Sequence, residues 1–209
     1  MTTLPRYSEL ITGSISPPGT VPPDYHEVLY WRISSRRGHV LAINLLAFVM
    51  LFLFGYVFIF FVLLFGHPPA GGEIDLLPLV PGVIFLIPAH ELAHGIAMRV
   101  YGARPRYGFL WKELMFYATA PGYAFRRNQY LVVSLAPLVS LSLLACCAIL
   151  LLAGSEFYTA AVVAILAAVN GGSSAGDLWM SAILLRYPPH AYVVDERDGM
   201  RVFLQTSKA

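Results

Sequence analysis

Four long apolar stretches alternate with shorter polar segments along the chain. They cover residues 40–65, 74–101, 130–153 and 157–185. Each stretch is long enough, at the rise of an α-helix, to cross a hydrocarbon layer about 30 Å thick. The pattern predicts an all-α membrane protein with four transmembrane helices.

The polar segments predict a small amount of β-structure at the membrane surface. Residues 103–128 mix arginines with aromatic side chains around the turn signal Pro121-Gly122, which favours a short β-hairpin between the second and third helices. An ordinary loop with interfacial aromatics is the alternative. In the tail, two β-prone runs flank residues 195–199 and predict a small C-terminal hairpin. Residues 25–33 alternate loosely, as a short strand or an interfacial stretch would.

The distribution of charge divides the chain and orients it. We distinguish an N-terminal segment (1–38), a membrane domain (39–185) and a tail (186–209). All 14 Lys and Arg residues fall in the N-terminal segment, the 99–127 region or the tail. The positive-inside rule therefore predicts four spans with both termini in the cytoplasm. We expect a multi-pass protein of the cell (inner) membrane.

Composition supports this class of protein and excludes others. The chain has 209 residues, of which 57% are hydrophobic and 12% are charged, a balance typical of a protein whose main partner is the lipid bilayer. The net charge of +2 is too small to indicate a nucleic-acid partner. Two adjacent cysteines within an apolar run give no disulfide framework.

The second apolar stretch contains the pattern H-E-x-x-H at residues 90–94. On a helix, His90 and His94 leave the same face about 6 Å apart along the axis, a spacing that allows both imidazoles to bind one Zn²⁺. Glu91 can then act as a general base toward water. The alternative is a pair of buried structural histidines. Ionisable groups inside an apolar span are costly in a bilayer and favour the functional interpretation.

A catalytic zinc commonly has three protein ligands, so a third is needed. Asp177 in the fourth stretch lies about 12 Å from the inner end of its span, and the two histidines lie roughly 10–16 Å from the inner end of theirs. These groups therefore share one depth. The small residues 171–176 would let the fourth helix approach the metal or unwind beside it, although helix packing alone would also explain them.

This arrangement of motifs resembles the site-2 protease group of intramembrane metalloproteases. The resemblance rests on residues 90–94 followed by Asn170 and Asp177 in a later span, and it extends over about residues 25–204. The short four-span plan and the pair Gly176-Asp177 are most similar to the small bacterial relatives called putative zincin peptidases.

The resemblance implies a zinc-dependent endopeptidase that cleaves a membrane protein or peptide substrate near the cytoplasmic side of the bilayer. It implies that Asp177 is the third zinc ligand, that Asn170 contacts substrate, and that residues 103–125 present an edge to an extended chain. Asp177 is followed by Leu178, where the related motif has glycine. Zinc would activate water and polarise the scissile carbonyl, while Glu91 would take the proton and pass it to the leaving amine.

Other functions remain open at this point. A metal-binding transporter or a catalytically inactive partner protein would use the same ligands without needing Glu91 as a base. An intramembrane serine protease could use Ser173 or Ser174, but it leaves Glu91 and Asp177 unexplained. A membrane di-iron oxygenase needs many histidines, and the chain has six in total. The sequence defines neither the substrate nor the oligomeric state.

Overall fold

The computed structural model of the protein describes residues 18–33, 37–110 and 115–206. In these residues the chain forms five helices and two small antiparallel sheets. The helices are α1 (Arg37–Phe65), α2 (Leu79–Val100), α3 (Arg127–Leu152), α4 (Phe157–Ser173) and α5 (Ala175–Leu184). The strands are β1 (Tyr25–Arg32), β2 (Arg106–Leu110), β3 (Met115–Thr119), β4 (Ala124–Arg126), β5 (Tyr192–Glu196) and β6 (Gly199–Gln205).

Three helices, α1, α2 and α3, are long and apolar enough to cross a membrane. Helices α4 and α5 meet the same test as a pair, bent by 41° at the break between them. Large apolar side chains such as Tyr56, Phe85 and Leu151 are at least 73% exposed on the outer faces. A water-soluble surface rarely carries so much contiguous apolar area, whereas lipid would cover it. The structure is thus mostly helical and has three to four candidate membrane spans.

Helix α2 begins later than the apolar pattern predicts. Residues 74–78 do not join the helix, and Pro78 stands at its N-cap. Pro81 falls in the first turn, where the missing N–H would have no partner in any case. Pro88 lies inside the helix, two residues before His90, and its missing N–H interrupts the hydrogen-bond ladder there.

Small residues bring α1 and α4 close together. A Cβ atom on Gly171 would collide with the ring of Phe54, so the two backbones approach more closely than larger residues would allow. The half of the bundle remote from β1 has a core of alanines and larger apolar side chains. Its buried members are Phe58, Val62, Ala145, Ile149, Ala153, Ala160, Ala164 and Ala167.

A four-stranded sheet in the order β1-β6-β5-β4 joins the two ends of the chain. Tyr30 pairs with Arg201 across β1 and β6, and Phe125 pairs with Val193 across β4 and β5. The sheet packs on the end of α2 and the start of α3 through a second core. This core includes Met98, Phe125, Tyr130, Val133, Leu184, Val193, Met200 and Val202.

Strands β2 and β3 form a separate two-stranded sheet between α2 and α3. Their register runs from Arg106 opposite Thr119 to the tip, and the connection at 111–114 lies outside the described residues. The turn signal Pro121-Gly122 is used elsewhere, because it connects β3 to β4, with Gly122 at a φ of 75°. A positive φ of this size favours glycine.

Candidate metal centre

The residues of the H-E-x-x-H pattern lie on α2 as their spacing predicts. The rings of His90 and His94 have centroids 5.1 Å apart, and both side chains are buried. Glu91 is half-buried beside them. One ligand atom from each of the three residues lies within 4.8 Å of the other two, an arrangement that could hold a metal ion.

The break between α4 and α5 turns the chain toward these histidines. The hydroxyl groups of Ser173 and Ser174 both donate to the carbonyl of Asn170 at 2.9 Å. Such side-chain bonds compete with the helix backbone and accompany bends. Helix α5 then starts at Ala175 and carries Asp177 in its first turn. Residues predicted as one continuous helix therefore form two, and the break falls within the glycine-rich part.

Asp177 contacts both histidines. Its Oδ2 lies 3.2 Å from Nε2 of His90, and its Oδ1 lies 3.4 Å from Nε2 of His94. Zinc at about 2.0–2.1 Å from each donor in a tetrahedron would hold its ligands roughly 3.3–3.4 Å apart. The two nitrogen–oxygen distances are therefore close to those between neighbouring ligands of a tetrahedral zinc ion.

The other ring nitrogen of each histidine has its own acceptor. Nδ1 of His94 lies 2.8 Å from the carbonyl oxygen of Val133, and Nδ1 of His90 lies 3.2 Å from Oδ1 of Asn170. An Nδ1–H that donates to these oxygens leaves the lone pair on Nε2. For both imidazoles, these acceptors favour the tautomer whose Nε2 can bind a metal toward Asp177.

Asn170 is deeply buried, with 1% of its surface exposed. Its amide nitrogen donates to the carbonyl of Pro137 at 3.3 Å, while its oxygen faces His90. The hydroxyl of Ser173 also lies 3.3 Å from the same ring nitrogen of His90. These contacts orient a histidine, and the predicted contact of Asn170 with substrate stays a prediction.

Two buried serines attach α5 to α3, and sequence reasoning missed both. The hydroxyl of Ser134 donates to the backbone carbonyl of Asp177 at 3.1 Å, and the hydroxyl of Ser181 donates to Ser134 at 3.2 Å. Their occurrence within apolar spans is the signal that could have identified them. They fix the helix turn that carries Asp177.

Glu91 connects α2 with β3. Its Oε2 accepts a hydrogen bond of 2.7 Å from the backbone N–H of Ala118. Ala118 pairs with Tyr107 of β2, so an N–H that reaches Glu91 belongs to the outer edge of β3, away from β2. Gly95 permits this approach, because a Cβ there would collide with the hydroxyl of Tyr107.

A cavity of about 460 Å³ extends from the histidines to the turn between β5 and β6. Helix α2, strand β3, the first turns of α3 and the β5–β6 turn line it. Asp195 stands on the sheet side, 8% exposed, and accepts a 2.7 Å hydrogen bond from the hydroxyl of Tyr130. Burial raises the pKa of Asp195 to about 6, although the bond from Tyr130 opposes the shift.

The comparisons with known proteins identify one family. No curated protein and no solved structure matches the chain. The profile of the putative zincin peptidase family matches residues 83–192, which include both histidines, Glu91 and Asp177. Because this match covers more than half of the chain, the protein belongs to the putative zincin peptidase family.

Proposed function

We propose that the protein is a zinc-dependent endopeptidase that works within or beside the bilayer on its cytoplasmic side. The observation that carries this proposal is the contact of one Asp177 carboxylate with Nε2 of both His90 and His94, with Glu91 adjacent. These two nitrogens and the carboxylate would hold the zinc that family membership implies. Bound zinc lowers the pKa of water and polarises a carbonyl group.

Asp177 is a better third ligand than Glu91. Its two oxygens already contact both histidine nitrogens, and its backbone is fixed to α3 by Ser134. One oxygen of Glu91 is engaged by the N–H of Ala118. Glu91 is therefore placed to accept a proton from the attacking water and to return it to the leaving amine.

An extended substrate would bind along the outer edge of β3. Phe116, Tyr117 and Ala118 line the cavity, and in the described residues β3 pairs with β2 alone. A peptide that adds to this edge would use backbone hydrogen bonds and pass beside Glu91. It would have to take the N–H of Ala118 from Glu91, so the same contact that binds substrate would free the base.

The four-stranded sheet is evidence for four membrane crossings, with both ends of the chain on one side of the bilayer. Strand β1 precedes α1, β4 precedes α3, and β5 and β6 follow α5, yet all four strands form one sheet. If α1, α2 and α3 each cross once, α4 and α5 must cross once together for the ends to meet. The positive charge near these strands supports a cytoplasmic location for the shared side.

The depth of the site follows from the same geometry. His94 lies six residues and His90 ten residues before the end of α2, which corresponds to about 9–15 Å along the axis. The metal site would thus lie in the half of the membrane nearest the sheet. The cavity gives water and an unwound peptide a route to it.

The test separates a peptidase from a metal carrier. Glu91→Gln keeps the shape of the side chain but removes the carboxylate that accepts the proton, so zinc content should stay near one per chain. Hydrolysis should fall by about 10²–10⁴-fold, the usual contribution of a general base. The substrates are labelled casein, as an unfolded chain, and synthetic transmembrane peptides with and without helix-breaking residues.

Asp177→Ala is the companion variant, and it should lose zinc as well as hydrolysis. Metal content is measured on purified protein by mass spectrometry. Full zinc retention in Asp177→Ala, with loss in His94→Ala, would remove Asp177 from the ligand set. Cleavage by Glu91→Gln at the wild-type rate, with zinc bound, would contradict the mechanism.

A further inference from the structure

Part of the cavity wall comes from outside the segment that matches the family. The match ends at residue 192, while the cavity is also lined by residues 195–199 and by Ile33. The zinc site is thus built from the family segment, and the cytoplasmic wall is built from the β5–β6 turn and the end of β1. Differences in this wall would change what the site accepts without changing its chemistry.

The turn is held in place from both sides. Glu196 pairs with Arg201 at 3.0 Å, and Asp198 pairs with Arg32 at 3.0 Å. A Cβ on Gly199 would collide with the backbone of β1, which shows how closely the turn lies against that strand. The wall is therefore a fixed part of the sheet.

Arg197 is the residue of this turn whose charge is not already paired. No carboxylate lies within ion-pair distance of it among the residues that the structure describes. Its guanidinium lies over the ring of Tyr117 in β3, 5.6 Å from the centroid, and both residues line the cavity. Arg197 is exposed, so its donors are accessible to a ligand.

We propose that Arg197 is a specificity-determining residue that selects a carboxylate side chain, Asp or Glu, close to the scissile bond. This inference rests on the proposed function, in which a substrate strand adds to the outer edge of β3. Side chains of directly paired strands lie about 4.5–5.5 Å apart at Cβ, so a substrate residue beside Tyr117 would lie within reach of the guanidinium. The planar fork of arginine matches a carboxylate and can stay stacked on an aromatic ring.

The neighbouring carboxylates could favour the opposite preference, for Lys or Arg. Glu196 and Asp198 line the same cavity, but each already has an arginine partner at 3.0 Å. A cationic substrate residue would have to compete with those pairs and would also meet the charge of Arg197. The structure therefore favours an acidic residue, and the basic preference becomes an outcome of the test.

Binding is measured first, with zinc-loaded Glu91→Gln protein in nanodiscs, so that the result does not depend on turnover. The probes are labelled peptides of one extended sequence that carry Glu, Gln or Lys at a single position, scanned along the peptide. The Glu peptide should bind about threefold to tenfold more tightly than the Gln peptide at its best position, and added salt should reduce this ratio.

Arg197→Gln should abolish the ratio, and Arg197→Glu should reverse it in favour of Lys. Arg186→Gln is the matched control, because Arg186 is exposed and does not line the cavity, and it should keep the wild-type ratio. An equal ratio in wild type and Arg197→Gln, a preference for Lys in wild type, or no binding of any peptide would overturn the inference.

Cleavage of the same peptides by zinc-loaded protein with Glu91 intact separates this inference from the proposed function. A preference for Glu in binding without any hydrolysis would leave Arg197 as a specificity residue of a non-catalytic binder. Hydrolysis with no preference would support the peptidase and reject the role of Arg197.

Discussion

Replacement of Asp195 by Asn should stabilise the protein at neutral and alkaline pH and have little effect in acid. Burial raises the pKa of Asp195 to about 6, against the bond from Tyr130, whereas the carboxyl in an unfolded chain has a pKa near 3.9. The folded state therefore holds this proton more tightly than the unfolded state. The resulting stabilisation is complete below about pH 4 and is lost as pH rises through 6.

The size of the effect follows from the shift of about two pKa units. Each unit corresponds to about 1.4 kcal/mol, so the charged carboxylate costs about 3 kcal/mol relative to the neutral acid above pH 6. Asn carries no charge and keeps an oxygen that can accept the bond from Tyr130, but its amide nitrogen cannot accept from Thr119 or from the N–H of Ala120, so this figure is an upper limit. For a chain of this length, the full figure corresponds to an increase in Tm of about 6–12 °C at pH 8.

The assay is thermal unfolding in detergent, followed by tryptophan fluorescence at a series of pH values. EDTA is present, so that pH-dependent metal binding does not contribute, and the other titrating groups are common to both proteins. Tyr130→Phe is the complementary variant, because it removes the bond that opposes the shift and should extend the loss of stability to higher pH. Parallel pH profiles for wild type and Asp195→Asn would refute the reasoning.

Three further predictions concern the scaffold of the site. Ser134→Ala should weaken zinc affinity about tenfold in a chelator competition, because it releases the backbone of Asp177. Ser142→Ala on the same helix is the control and should leave zinc affinity unchanged, because its buried hydroxyl has no partner among the described residues. Gly171→Leu should lower the free energy of unfolding by about 1–3 kcal/mol by forcing α1 and α4 apart, measured by thermal unfolding. Reporter fusions at Gly71 and at the C-terminus should give opposite sidedness, and equal sidedness would exclude four spans.

The parts of the site that depend on local geometry could be predicted from sequence. The spacing of His90 and His94 places both rings on one helix face whatever the surroundings. The depth of Asp177 matches that of the histidines, because the helical rise converts residue number into distance along each span. The structure places this carboxylate 3.2 and 3.4 Å from the two rings, as a common depth requires.

Contacts made by backbone atoms could not be predicted, because backbone N–H and C=O groups are nearly the same in every residue type. The N–H of Ala118 that holds Glu91 and the carbonyl of Val133 that orients His94 depend on how helices and strands pack. The strand pairing of the four-stranded sheet could not be predicted either, since Tyr25 pairs with Gln205 at the other end of the chain. The predicted N-terminal segment and tail each showed a short strand pattern, and neither pattern indicates its partner.

Helix α3 carries none of the proposed metal ligands, yet it contacts both helices that carry them. The carbonyl oxygen of Val133 accepts a hydrogen bond from His94 of α2. The hydroxyl of the next residue, Ser134, donates to the backbone carbonyl of Asp177 in α5. These contacts position both sides of the site through α3. We therefore predict that the fold forms without the metal, with protons between the histidines and Asp177, and that zinc stabilises it by mass action as a ligand of the native state. Removing zinc should then lower Tm while leaving the helical content unchanged, whereas loss of helix on treatment with a chelator would show that the metal itself organises α2 and α5.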